Sequence, residues 1–257
     1  MAIRFTKKSK GPNTAGVAQE PPRKRRAGER AGVTMDKIVD AARHLIAREP
    51  GVVNIKLVAA ELGVAHGSIS EKLRRADTTL EKELTKIFLA SILRPHEPGD
   101  NWKERIEELF QRSVQEGSAS TPIARVVTPW IAQDPLSNSD FSDRLIYIFR
   151  DAGLNKSGCA AAYDVVLACL CGLLTVSFPD FQGGASAWSD RIASGVENMP
   201  PQRWPSLHYG GTELVTRARA KVPGADRKPG AETVALAQAV AGLAIHEIEL
   251  IQLKMSL

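Results

Sequence analysis

The residues able to do chemistry gather in one short stretch. His66, Ser68, Ser70, Glu71, Lys72, Arg74 and Arg75 follow one another, with Gly67 among them. Hydroxyl, imidazole and ammonium groups can exchange hydrogen bonds with base edges, and arginine pairs with phosphate. That is recognition chemistry, in which no covalent bond need change. Other groupings are poorer. Cys159, Cys169 and Cys171 share one apolar stretch, and the last two are two apart. On a helix these two point to different sides and cannot easily bridge or share a metal. They read as small core residues of a reducing cytoplasm. His44, His66, His96, His208 and His246 show no ligand spacing with cysteine or carboxylate, so no metal site is expected. Glu104, Glu107 and Glu108 stand beside Lys103 and Arg105 at the spacing of a solvated helix face. No Gly-rich phosphate loop follows a strand, and no nucleophile elbow occurs. The expectation is a protein with no catalytic residues, no cofactor and no metal.

The elements that must position the basic stretch come next. Residues 54–75 read as two short helices joined by a tight turn. Asn54 is a good N-cap, since its side-chain oxygen can take up an unpaired amide of the first turn. Leu57, Val58 and Leu62 supply an apolar stripe. Gly63 falls where the first helix must end, and glycine tolerates a left-handed cap. Val64 can plug the gap between the helices, and Ala59 is small enough for a close crossing. Ile69 and Leu73, four apart, anchor the second helix and leave its polar residues facing out. This is the layout of a helix-turn-helix whose second helix enters the major groove. The same pattern also fits an ordinary helical hairpin with a solvated basic face.

With those residues on the page, a resemblance can be named. The region from Thr34 to Ile92 resembles the DNA-binding domain of TetR-type (tetracycline-repressor-like) regulators. Thr34 to Gly51 resembles the family's first helix and following loop. Leu62-Gly-Val-Ala-His-Gly-Ser-Ile69 resembles its turn and the start of its recognition helix. The family usually has aromatics where Ser70 and Leu73 stand, and a lysine near Ala76. The first and last of these normally touch phosphate, and Arg74 and Arg75 stand where they could substitute. The resemblance implies an operator of double-stranded DNA, a homodimer, and a small-molecule effector held in the second domain. The DNA-contacting set it implies is Thr34, Lys37, Lys56, His66, Gly67, Ser68, Ser70, Lys72, Arg74 and Arg75.

Charge divides the chain. Of 257 residues, 43% are hydrophobic, enough for a buried core, and the net charge is +5 with a pI of about 9.2. Residues 1–30 carry nine basic side chains against Glu20 and Glu29, so the tail holds +7 and the rest −2. The tail has several prolines and glycines and no apolar period, and it reads as disordered. Its Arg23-Lys-Arg-Arg26 run could reach phosphate or the minor groove, or serve only solubility. No signal sequence is legible, and no run of about 18 apolar residues predicts a membrane span.

The remaining pattern is helical. A first helix over 34–49 buries Ile38, Ala42, Leu45 and Ile46 behind Thr34 as cap. A helix over 78–93, capped by Asp77, carries Leu80, Leu84, Ile87, Phe88 and Ile92. Residues 156–178 are apolar on nearly every face and predict a helix with one side on its own domain and one on a partner subunit; 231–255 predicts a long apolar-rich helix, and the resemblance implies that the two form the dimer interface. Short helices near 185–197 and 206–220 interrupt a Pro/Gly-rich region. The fold expected is all-α, with a basic tail over 1–30, a helix-turn-helix domain over 31–77, and an effector and dimerisation domain over 78–257. Trp102, Phe110, Trp130, Phe149 and Tyr163 either fill the core or line a pocket for a small apolar effector. Leu170, Leu174, Val240 and Ile248 are the expected dimer contacts. The function expected is a cytoplasmic transcriptional regulator, a ligand-released repressor. The alternative is a DNA-binding module governed by a protein partner without a small effector.

Overall fold

Helices begin in this chain where a side-chain oxygen takes up the orphan amides of a first turn. Thr34 accepts from the Lys37 amide at 3.3 Å and Asn54 from Leu57 at 3.0 Å. Thr79 accepts from Lys82 at 3.2 Å, Asn101 from Lys103 at 3.0 Å, Asn138 from Phe141 at 3.2 Å and Asn155 from Gly158 at 2.9 Å. Each such cap contributes about 0.5–2 kcal/mol. They open α1 (Met35–Arg48), α2 (Ile55–Glu61), α4 (Leu80–Ile92), α5 (Trp102–Ala119), α7 (Ser139–Asp151) and α8 (Lys156–Ser177). The others are α3 (His66–Arg75), α6 (Thr121–Gln133) and α9 (Ala231–Ser256). This computed structural model describes residues 32–48, 53–95, 97, 99–133, 138–178 and 228–256, with single positions between 190 and 219. No strand occurs among them, so the all-α expectation holds. The basic tail over 1–30 lies outside the described residues. So does most of the region of the two short helices, although Asp190, Arg191, Ala193–Gly195, Glu213, Val215 and Thr216 are helical.

Three helices stop by one device. After α2, the Gly63 amide bonds Ala60 O at 3.1 Å and the Val64 amide bonds Ala59 O at 2.9 Å, with Gly63 at φ +62°. After α7, with Gly153 at φ +84°, the Gly153 amide bonds Arg150 O at 2.9 Å and the Leu154 amide bonds Phe149 O at 3.1 Å. These are Schellman ends, which need a left-handed residue. After α3 that residue is Asp77, at φ +49°. Its amide bonds Arg74 O at 3.1 Å, and the Thr78 amide bonds Leu73 O at 3.1 Å. Asp77 was expected to cap α4; instead it ends α3, and Thr79 caps α4. Aspartate tolerates the left-handed region better than most side chains, because its short polar group can bond locally.

The body packs α5 against α8 and α9, α4 against α5 and α6, and α6 and α7 against α8. Ile106, Leu109, Phe110, Leu145, Phe149, Val166, Leu170, Leu174 and Ile248 form its centre. At one crossing the Phe178 ring lies so near Gly117 that a Cβ there would stand 2.2 Å from it. The helix-turn-helix shares this core, since α1 packs on α4 and α6 as well as on α2 and α3. Two apolar residues fall outside their expected stripes: Leu57 and Ile87 are exposed. In α2 the buried row is Val58 and Ala59, with Ile55 and Leu62 beside it. That is the three-and-four spacing of one helix face, and Leu57 stands 100° off it.

The C-terminal end of α4 is gripped by arginines from two other helices. Arg105 of α5 is buried, and its Nη2 donates to Arg94 O at 2.6 Å and Pro95 O at 3.4 Å. Arg144 of α7 donates to Leu93 O at 3.1 Å. Burial pulls the Arg105 pKa down, while Glu108 and Asp100 oppose that shift. Glu108 bonds the Arg105 Nη1, and Asp100 stands 3.5 Å from its Nε.

The sequence holds no unbroken run of 18 apolar residues, yet α8 and α9 stand out for length and hydropathy. Both are long and apolar enough, by length and composition, to cross a membrane. Small residues such as Ala, Gly and Cys give that composition without an unbroken run of large apolar side chains. In the fold each lays one side on the core: Cys159, Ala162, Val166, Leu170 and Leu173 in α8, Ala237, Ala241, Ala244 and Ile248 in α9.

The Asp77 geometry makes a stability prediction. Asp77→Gly relieves the left-handed strain and is expected to raise unfolding free energy by about 0.5–1 kcal/mol, whereas Asp77→Val lowers it by about 1–2 kcal/mol. Urea denaturation measures both; two midpoints equal to the parent's would show that position 77 is not strained.

Candidate nucleic-acid interface

The interface is built on what α3 hides. Ile69 and Leu73 are buried, one turn apart, against α1 and α2. Their burial turns His66, Gly67, Ser68, Lys72, Arg74 and Arg75 to the surface, with Ser70 and Glu71 half-exposed. Seven of the ten expected DNA-facing residues therefore sit on one helix. Ala65 precedes α3 and offers no side-chain cap, so the first-turn amides face outward with the dipole's positive end. Thr34 and Lys37 are exposed at the start of α1, and Lys56 is exposed on α2. Helix starts of this kind suit phosphate.

The charged side chains of α3 pair with one another along the helix. Glu71 faces two arginines at once. Arg74 donates to it through Nε and Nη2, both at 2.9 Å, and Arg75 through Nε at 2.7 Å. These hydrogen bonds hold the Glu71 carboxyl down to about 2. The (i, i+3) and (i, i+4) offsets were the legible signal. Lys72 has no ion-pair partner among the described residues.

The aromatic residues expected around an effector are spread through the body. Phe110 and Phe149 are fully buried. Tyr163 is buried and its hydroxyl bonds Ser142 Oγ at 2.8 Å; burial, partly offset by that bond, pushes the phenol up. Trp102 and Trp130 are half-buried, and the Lys103 ammonium lies 5.6 Å from the Trp102 ring centre. None of the five lines either of two cavities bounded by described residues. One, of about 50 Å³, lies where Arg43 of α1 meets Leu84, Phe88, Glu116 and Ile123. The other, of about 200 Å³, lies between α4 and α7 beside Lys86, Leu89, Phe141 and Arg144.

The residues expected at a dimer contact divide. Leu170, Leu174 and Ile248 are buried inside the subunit, and Val240 is half-buried. The same two helices expose a different row: Ala161, Ala168, Gly172 and Val176 on α8, and Ala235, Ala239, Gly242 and Leu243 on α9. Leu243 is 62% exposed, an unusual state for leucine in the middle of a long helix. The three thiols are unbridged, and burial pushes each pKa up. No metal-holding cluster occurs among the described residues.

The architecture, three helices of which the third turns a basic face outward, followed by a helical body, defines a class of all-α folds. Solved structures share it. ActR of Streptomyces coelicolor in complex with actinorhodin superposes with a TM-score of 0.58 at 18% identity, over 85% of this chain and 96% of that one. ActR in complex with (S)-DNPA gives 0.56 at 18% identity, over 85% and 98%. SCO7222, a TetR transcriptional regulator from the same organism, gives 0.57 at 13% identity, over 85% and 99%. The fold is thus that of TetR family proteins, as the sequence pattern implied. No protein-family model matches the sequence, and no curated protein matches it significantly.

The paired geometry of Glu71 can be tested in solution. Its carboxyl carbon is expected to titrate near pH 2 by NMR, and to return to the ordinary range in an Arg74→Ala/Arg75→Ala chain. Titration near 4.5, the ordinary value for glutamate, in the parent would show that the pairs do not persist.

Proposed function

We propose that this chain is a DNA-binding transcriptional regulator, a repressor that binds a near-palindromic operator as a homodimer and is released by a small apolar ligand. The observation that carries this reading is the division of α3: Ile69 and Leu73 inside, and Ser68, Lys72 and their polar neighbours outside. A helix so divided, seated on a second helix across a Gly63 turn, fits the major groove. The domain plan is the basic tail over 1–30, DNA binding over 31–77, and effector binding and dimerisation over 78–257. The ActR complexes, in which a protein of this fold holds actinorhodin or (S)-DNPA, support a ligand for the body.

In this reading α8 and α9 meet a second copy, not a lipid. Their exposed row mixes Ala168, Gly172, Gly242 and Leu243 with Asp164, Gln238, His246 and Glu247. Charged and amide groups on that row suit a subunit contact with a polar rim, and small residues allow close helix approach. The protein is then cytoplasmic. Two recognition helices related by a two-fold would read half-sites about 34–36 Å apart, or a multiple of one turn.

The deciding experiment is selection of bound sequences from random duplex with the full chain, which should return a two-fold motif. Lys72→Ala is then expected to cost about 1–3 kcal/mol on that motif; affinity equal to the parent's would count against the docking. For assembly, Ala168→Asp or Leu243→Asp should sediment as a folded monomer, while Leu170→Asp should unfold, because it charges the core. A persistent dimer in both surface variants would remove α8 and α9 from the interface. For release, an effector must bind with 5–150-fold different affinity in the presence and absence of operator; equal affinities would exclude it as the signal.

A further inference from the structure

Resting on the DNA-binding reading above, we infer that Glu71 restrains the recognition helix: it holds Arg74 and Arg75 along α3 and so limits binding to DNA of unrelated sequence. The helix carries its basic residues Lys72, Arg74 and Arg75 within four positions, and two of these three cations are already engaged. One carboxylate receives Nε and Nη2 of Arg74 and Nε of Arg75. Glutamate stands one turn N-terminal to both, the better orientation for helical ion pairs. All three side chains are at the surface, with Arg74 73%, Arg75 62% and Glu71 40% exposed. They are therefore placed to meet the same phosphates.

Phosphate and carboxylate ask the same donors of a guanidinium. A phosphate approaching Arg74 finds the Nε–Nη2 edge, the one best suited to a two-point contact, taken by Glu71. It must either displace the carboxylate or accept a negative charge beside it. Binding to unrelated sequence depends almost wholly on phosphate neutralisation, at a log–log salt slope of about −0.9 for each phosphate. It therefore loses most from the pairing. Binding to a matched site also draws on base contacts from Ser68 and Lys72, which Glu71 does not engage. The restraint thus falls unequally on the two modes and raises their ratio.

The test uses the full chain, random-sequence duplex and a salt titration by fluorescence anisotropy, so that the basic tail contributes equally to every arm. Glu71→Gln keeps the size of the side chain and removes its charge. Its slope is expected to steepen by about 1–2 units, so that lowering salt from 200 to 50 mM strengthens its binding about tenfold more than the parent's. Glu107→Gln, an exposed site on α5, changes the net charge equally and should leave the slope unchanged. Arg74→Ala in the Glu71→Gln background should return about half the gain. A Glu71→Gln slope equal to that of the parent or of Glu107→Gln overturns the inference. Weaker binding by Glu71→Gln also overturns it, since that would make Glu71 an aid that aims the arginines at DNA. If Lys72→Ala lowers affinity for the selected motif while Glu71→Gln changes nothing, the DNA-binding reading stands and this inference alone falls. Absence of duplex binding by every chain, parent included, would overturn both.

Discussion

The burial of Ile69 and Leu73 fixes the rotation of α3 about its own axis. A helix turns 100° per residue, so two buried positions one turn apart leave no freedom over which side chains face outward. All that the basic stretch can present follows from this contact. It depends in turn on Val58 and Ala59, buried on α2, and on Ile38, Ala42 and Ile46 of α1. The small Ala59 and the left-handed Gly63 let α2 and α3 come together over so short a turn. The outward face of α3 is thus set by apolar packing, and the side-chain network on it is that of the Glu71 pairs.

The same packing joins the first three helices to the body. α1 meets both α4 and α6, and α4 runs onward to α5 and α7. Just past its far end the carbonyls of Leu93, Arg94 and Pro95 are held by Arg144 and Arg105. An unpaired carbonyl would be costly where Leu93 is buried, and a guanidinium meets that need. The arrangement makes one end of α4 polar and tightly specified. Its other end, at Thr78 and Thr79, rests on the Asp77 turn and on a Thr78 hydroxyl donating to Glu83 at 2.6 Å. A change in how the body packs around α4 therefore reaches α1 through side-chain contact, with no flexible linker between.

Much of this was legible because it is local. Asn54, Thr34 and Gly63 announce helix ends through chemistry that acts over three residues, and all three act as read. Ile69 and Leu73 were legible by spacing. Asp77 was not, because aspartate serves as an N-cap far more often than as a left-handed stop. Only the placement of Thr78 and Thr79 tells which role it takes. Arg105 read as one charge on a solvated face, yet it is buried; its partners at Arg94, Pro95 and Asp100 precede the helix it sits on. The apolar surplus of α8 was visible, but not which residues it turns inward. That choice is set by α5, α6, α7 and α9 together, and Leu170 and Leu174 went to the core while Ala168 and Gly172 stayed outside.

The contact between Gly117 and Phe178 imposes an order on sequence change. The ring occupies the space where any Cβ at position 117 would stand. Growth at 117 is harmful while the ring remains, whereas shrinkage at 178 leaves only a gap that a side chain at 117 could later refill. Of the two mutational routes from this pair to a larger-and-smaller one, the one beginning at 178 passes through the milder intermediate. The two positions are therefore epistatic in a direction that their separation of 61 residues along the chain would never reveal.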